Sequence, residues 1–273
     1  MTVFAIPFPE IDPVAFSLGP VSVKWYGLSY MVGLLLGWQY ARSLLGNHRL
    51  WNNNQPPMDV DQADDLLVYL ALAIIVGGRL GQVLLYDPAY YSANPVEIFK
   101  IWKGGMSFHG ALIASGLMLV YFARKFQVSA LSMMDLSAAA SPFGLFLGRV
   151  ANFINSEHWG RPTDAAIGMV FPNGGPLPRH PSQLYEAVLE GLVMFVILRL
   201  LTHTFGGLKQ PGLVAGAWLV WYAIARSICE FFREPEAIHA LNLGPFTAGQ
   251  FYSLPMFLLG AYLIHRARTT TPA

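Results

Sequence analysis

Apolar residues fill this chain in long stretches, separated by loops rich in Pro, Gly and Asn. Seven of these stretches read as spanning helices: residues 25–45, 66–86, 107–123, 136–154, 183–201, 212–232 and 248–264. The second and seventh are the clearest. Residues 66–86 carry Arg79 as their one charge and residues 248–264 carry none, and about 20 apolar residues suffice to cross hydrocarbon. The third stretch is short and the fourth is rich in Ala and Ser. Clusters such as Asn52-Asn53-Asn54-Gln55-Pro56-Pro57 and Pro172-Asn173-Gly174-Gly175-Pro176 mark loops. With no internal repeat and no linker, residues 1–273 form one domain.

Composition sharpens this pattern. The chain is 54% hydrophobic and 12% charged, with a mean hydropathy of +0.44. Soluble domains carry about 25% charged residues, so lipid must serve as part of the solvent. A net charge of +1 and the lack of a basic tract argue against nucleic acid as a partner. Cys229 is the single cysteine, which excludes an internal disulfide and a Cys-rich metal site; it reads as a small buried hydrophobe. The first 22 residues hold no Lys or Arg, so no charged leader precedes the first apolar run, which is expected to stay as a helix.

An odd number of spans puts the two ends on opposite sides. With the N-terminus outside, the inner segments hold eight basic residues (Arg42, Arg49, Arg124, Lys125, Arg199, Lys209, Arg266 and Arg268) against six outside. The bias favours an outer N-terminus and a cytoplasmic C-terminus. The two longest loops, about 87–106 and 155–182, then face outward. Gly-x-x-x-Gly pairs at 33/37, 77/81, 144/148 and 212/216 let helix backbones approach closely within one bundle.

Charges inside spans are costly and mark either a site or a buried pair. The sixth span carries Trp218, Tyr222, Arg226, Glu230 and Arg233 on one helical face; a self-neutralising Arg226–Glu230 pair is the structural alternative. The fourth ends with Arg149, Asn152 and Asn155 on one face, followed by Glu157. An Arg fork beside amides suits an oxyanion, whereas a mere polar cap leaves Arg149 unexplained. Gly104-Gly105-Met106-Ser107-Phe108-His109-Gly110 leads into the third span, where a helix start favours phosphate and would place His109 beside it. Arg179-His180-Pro181-Ser182 opens the fifth, and Glu186 and Glu190, one turn apart, need a cation such as Arg79. The seven His residues show no metal-binding spacing, and no Gly-x-Ser-x-Gly elbow is present.

The stretch from Gly148 to Gly160 resembles the signature of the bacterial prolipoprotein diacylglyceryl transferases, Gly-Arg-x-(Gly/Ala)-Asn-Phe-x-Asn-x-Glu-x-x-Gly, at every fixed position. Asp12-Pro13, Gly19-Pro20-Val21-Ser22, Trp25-Tyr26-Gly27, Gly104 to Gly110, His180 to Glu186, Glu230 to Arg233, and Gly249-Gln250 with Ser253, Pro255 and Met256 resemble family blocks in the same order. The similarity runs over about residues 8 to 265. Gln82 stands where the family more often has an aromatic, and Ala111 where it more often has Gly.

The resemblance implies an all-α polytopic protein of the bacterial cytoplasmic (inner) membrane, with seven transmembrane helices, an outer N-terminus and a cytoplasmic C-terminus. It implies transfer of the diacylglyceryl group of phosphatidylglycerol to the lipobox cysteine thiol of a preprolipoprotein signal peptide. Glycerol-1-phosphate leaves, and this is the first step of lipoprotein maturation. No metal or organic cofactor is called for. A thiolate must displace a phosphate ester at an sp³ carbon, and the nucleophile belongs to the peptide. A thiol with a reference pKa of about 8.5 and a His near about 6.5 make His109 the candidate base. Arg149 and Arg226 suit the leaving phosphate. Tyr26, Asn152 and Tyr222 are expected to orient the head group, with Gly104 and Gly160 completing the contacts. Glu157 and Glu230 are expected to hold the arginines. The alternative chemistry gives thiol activation to Arg226 or a neighbouring Tyr. A transporter is the competing class, but it would favour repeats and broken helices in both halves. The sequence does not specify an oligomeric state, and a monomer suffices.

Overall fold

A backbone in hydrocarbon has no water to bond, so long apolar runs satisfy their N–H and C=O groups internally as helices. The computed structural model describes residues 6–19, 21–101, 104–234 and 247–270; the side chains of Leu18, Val21, Phe108, His109, Ala248 and Tyr252 lie outside that description. After β1 (Ile6–Pro7), β2 (Val14–Leu18) and β3 (Val21–Lys24) come α1 (Trp25–Gly46) and α2 (Gln62–Gly81), which a π-helical turn at Gln82–Tyr86 prolongs. The short α3 (Pro88–Ala93) precedes α4 (Phe108–Lys125), and α5 (Ala130–Ala140) meets α6 (Pro142–Ile154) at Pro142. β4 (Met169–Val170) leads to α7 (Ser182–Glu186), a π-helical stretch Ala187–Val193 and α8 (Met194–His203), followed by α9 (Leu213–Cys229) and α10 (Ala248–Thr270).

The fold is therefore mainly helical, and a helix covers most of each expected stretch, although α9 ends at Cys229, short of the expected 232. The rods Gln62–Tyr86 and Ala130–Ile154 are long and apolar enough to cross a bilayer by length and composition. Leu84, Leu117 and Leu258 are more than half exposed, while Arg79, Asp135, Glu186, Glu190 and Glu230 are buried. Apolar outside and charged inside is the arrangement of a protein bathed in lipid.

Small residues set the helix spacing. A Cβ on Gly33 would lie 2.8 Å from the Gly144 Cα, so α1 and α6 touch backbone to backbone. Gly77, Gly81 and Gly110 do the same for α2 and α4, and Gly216 with Gly260 for α9 and α10. Gly212 departs from expectation: at φ +97° it precedes α9 rather than sharing its face with Gly216.

Two further features differ from the apolar pattern. The fourth helical rod begins at Ala130, because Asp135 is not an obstacle to burial: its carboxylate accepts the Gly212 and Ala215 amides at 2.7 and 2.8 Å and caps the start of α9. The strands are the second. β2 and β3 form an antiparallel hairpin before α1, and β1 pairs in parallel with β4 (Ile6 with Met169, Pro7 with Val170). Isolated bridges Gly160–Arg233 and Pro162–Arg179 join residues after α6 to the start of α7 and the end of α9. Phe8, Phe153, Phe171 and Trp159 pack together beneath this cap.

Candidate active site

The sequence places arginines on α6 and α9 and carboxylates on the rod begun by α7, and the fold brings their ends together. Gly191 makes this possible: a Cβ there would fall 2.8 Å from the Phe146 Cα, so the π-helical stretch presses directly on α6 one turn before Arg149. Arg149 then reaches Glu190 through Nε at 3.1 Å and Nη2 at 2.9 Å, with Nη1 3.3 Å from Glu186. From α9, Arg226 gives Nη1 to Glu186 at 2.5 Å and Nη2 to Glu230 at 2.5 Å. Arg233 adds a third contact to Glu186, at 2.9 Å. Glu186 and Glu190 are fully buried, and Arg149 and Arg226 keep 18% and 17% of their side chains exposed. These two carboxylates are thus fully buried, while Arg149 and Arg226, which hold them, keep part of their side chains open.

Expectation and structure differ over Arg79, the suggested partner of Glu186 and Glu190. It is buried in α2, and all five of its N–H donors go to backbone carbonyls of the following loop: Ile98 at 2.8 Å, Gly104 at 2.6 Å, Gly105 at 3.0 Å, Lys100 at 3.4 Å, and Glu97. A Tyr91 ring faces its guanidinium at 5.1 Å. Gly104 and Gly105 have φ of +86° and +77°, a conformation that Gly adopts without penalty, and it turns both carbonyls toward Arg79. The loop leads to Ser107, whose hydroxyl caps α4 by accepting the Gly110 amide at 3.1 Å. His109 stands in the first turn of α4, and its side chain lies outside the described residues.

Glu157 also takes other partners than expected. It accepts the Asn152 amide at 2.7 Å and the Asn155 amide at 3.4 Å, whereas Glu230 does hold Arg226. Ser156 and His158 have φ of +51° and +57°, uncommon for residues with a Cβ, so the turn that aims Glu157 inward is strained. Gln183 holds it by donating to the Glu157 carbonyl at 2.6 Å, and Ser182 by donating to the His158 carbonyl at 2.9 Å. Neither support was foreseen, since both act through backbone oxygens.

Gly160 sits in the cap with its amide on the His180 carbonyl at 2.8 Å, and a Cβ there would meet the His180 and Phe232 backbones. Tyr26 pairs its hydroxyl with that of Tyr30 at 3.1 Å, and Arg149 and Glu157 are among its charged neighbours. Tyr222 is buried, stacked on Trp218 at 5.1 Å, with Glu190, Arg149 and Arg226 near it. Gly249, at the start of α10, closes against the Glu230 carboxylate. His180, in the cap, has its pKa lowered by burial; its Nδ1 lies 3.1 Å from the Tyr185 hydroxyl and its ring meets Phe232 edge-on. Among the described residues, no three His, Cys, Asp or Glu side chains gather into a metal-holding group. Three guanidinium groups, amides and tyrosines gather at one end of an apolar bundle, a set of donors whose chemistry suits an oxyanion.

Known sequences match this chain over nearly its whole length. A family model described as prolipoprotein diacylglyceryl transferase matches residues 13–266. A Brucella anthropi protein named phosphatidylglycerol--prolipoprotein diacylglyceryl transferase is 50% identical over 267 residues, 97% of this chain and 95% of that protein. Proteins of the same name from Brucella canis and Brucella ovis are each 52% identical over 264 residues, 96% of this chain and 94% of theirs.

Proposed function

The chain belongs to the prolipoprotein diacylglyceryl transferase family, and we propose that it moves the diacylglyceryl group of phosphatidylglycerol onto the thiol of a prolipoprotein cysteine. The carrying observation is the juxtaposition of Arg149 and Arg226 across Glu186, with both arginine side chains partly exposed. The lipid phosphate binds between them, and Arg149 and Arg226 stabilise the charge that grows as the glycerol carbon–oxygen bond breaks. The peptide thiolate attacks that carbon, forming the thioether, and glycerol-1-phosphate departs with the electron pair of the broken bond. His109 takes the thiol proton. Tyr26, Asn152 and Tyr222 orient the head group, with Gly104 and Gly160 completing the pocket wall. Glu230 aligns Arg226, and Glu157 fixes Asn152.

The protein is a multi-pass resident of the bacterial cytoplasmic membrane, crossing it seven times with its N-terminus outside and its C-terminus in the cytoplasm. Loops 87–106 and 155–182 then face the side where exported precursors arrive. The exposed apolar exterior and the basic residues of the short inner loops support this placement. A lipobox peptide incubated with the purified protein and phosphatidylglycerol gains the mass of one diacylglyceryl group. An unchanged peptide mass with folded protein would reject the transfer. A His109→Gln protein that kept full activity would reassign the base.

A further inference from the structure

The carboxylates around Arg149 are not equivalent. Glu186 is shared by Arg149, Arg226 and Arg233, and Glu230 is held by Arg226. Among the described residues Glu190 is held by Arg149 alone, through one oxygen; its other oxygen, Oε1, is buried without a partner, whereas Glu186 Oε2, which also lacks a hydrogen bond, keeps an ion-pair contact with Arg149 at 3.3 Å. Leaving a buried oxygen unpaired costs about 1–3 kcal/mol. Glu186 also lies 3.3 Å from Arg149, but Arg226 and Arg233 share it, so Glu190 supplies the third negative charge of the set. Glu190 also lies within the π-helical stretch Ala187–Val193, a geometry concentrated at functional positions.

Charge accounting shows what the third carboxylate does. Arg149, Arg226 and Arg233 face Glu186, Glu190 and Glu230, three charges against three. A phosphodiester entering this set adds one negative charge. The phosphate monoester that leaves carries close to two at neutral pH, its second pKa being about 6. Arginines alone would therefore hold the product more tightly than the substrate.

We infer that Glu190 is a displaceable counterion, a positioning residue that competes with the phosphate for Arg149 and so speeds release of the phosphate monoester. This rests on the transferase activity proposed above. The lipid phosphate draws Arg149 off Glu190, and after transfer the fixed carboxylate reclaims the guanidinium. No bond is made or broken at Glu190.

The test is Glu190→Gln, which keeps the shape and removes the charge, with glycerol-1-phosphate as the probe. Inhibition by glycerol-1-phosphate tightens about tenfold, the scale of a close charge pair, while kcat falls and the lipid KM does not rise. A residue that merely shapes the site would lower kcat, raise KM and leave the inhibition constant unchanged; that result overturns the inference. If Glu190→Gln does not fold, Glu190→Asp decides. Its shorter reach to Arg149 gives a smaller tightening in the same direction, and unchanged or weaker inhibition overturns the inference. Wild-type protein that neither releases nor is inhibited by glycerol-1-phosphate overturns the transferase activity and this inference together. Inhibited wild type with no tightening in the variants overturns this inference alone.

Discussion

Arg226 and Glu186, forty positions apart in the chain, meet at 2.5 Å in the interior of the bundle. Because Arg149 and Arg233 converge on the same carboxylate, Glu186 is the node that ties α6, the rod begun by α7, and α9 into one site. Removing one partner of a buried ion pair leaves uncompensated charge and costs about 3–5 kcal/mol.

Glu186→Ala accordingly removes the one carboxylate that three guanidinium groups share and lowers stability by about 3–5 kcal/mol, with loss of transfer. Glu186→Gln keeps hydrogen-bond acceptors and loses less stability. Denaturant titration in detergent compares the two; equal stability of Glu186→Ala and wild type would contradict the node.

Arg79 tests the loop rather than the charge cluster. Its five donors all end on carbonyls between Glu97 and Gly105, and a Lys has three donors and no planar fork. Arg79→Lys should cost about 2–3 kcal/mol of local stability and open residues 97–105 to limited proteolysis. A cleavage pattern identical to wild type counts against this role.

His180 makes the cap pH-sensitive. Burial holds its pKa below the ordinary value of about 6.5, so the unfolded chain binds the proton first as the solution is acidified. The stability tied to neutral His180 is complete above that ordinary value and is lost as pH falls through the lower, folded pKa. Thermal unfolding at pH 8 and pH 5 should therefore differ more in wild type than in His180→Asn. An identical pH dependence in both proteins would remove His180 as the cause.

Much of the fold is legible because lipid simplifies the code: apolar runs must be helices, and most of each expected stretch is helical. Arg149, Arg226 and Glu230 also stand out singly, since a charge in an apolar run announces itself. What the chain pattern hides is who pairs with whom. Glu186 and Glu190 signal the need for a cation, but Arg79, Arg149, Arg226 and Arg233 are all candidates until Gly191 brings the π-helical stretch onto Phe146. The role of Asp135, just ahead of the fourth expected stretch, is hidden for a related reason, because its partners are backbone amides at the start of α9. The strands of the cap are too short to leave a period-two pattern; β1 and β4 have two residues each.

Release of glycerol phosphate from phosphatidylglycerol, followed in detergent with and without a lipobox peptide for wild type and Arg149→Ala, is the most direct test. Wild type should release it only when peptide is present, and Arg149→Ala should lose at least about 100-fold in rate while remaining folded, the scale of a lost transition-state charge contact. Release unaffected by Arg149→Ala, or none from folded wild type, would contradict a phosphate clamp built on Arg149.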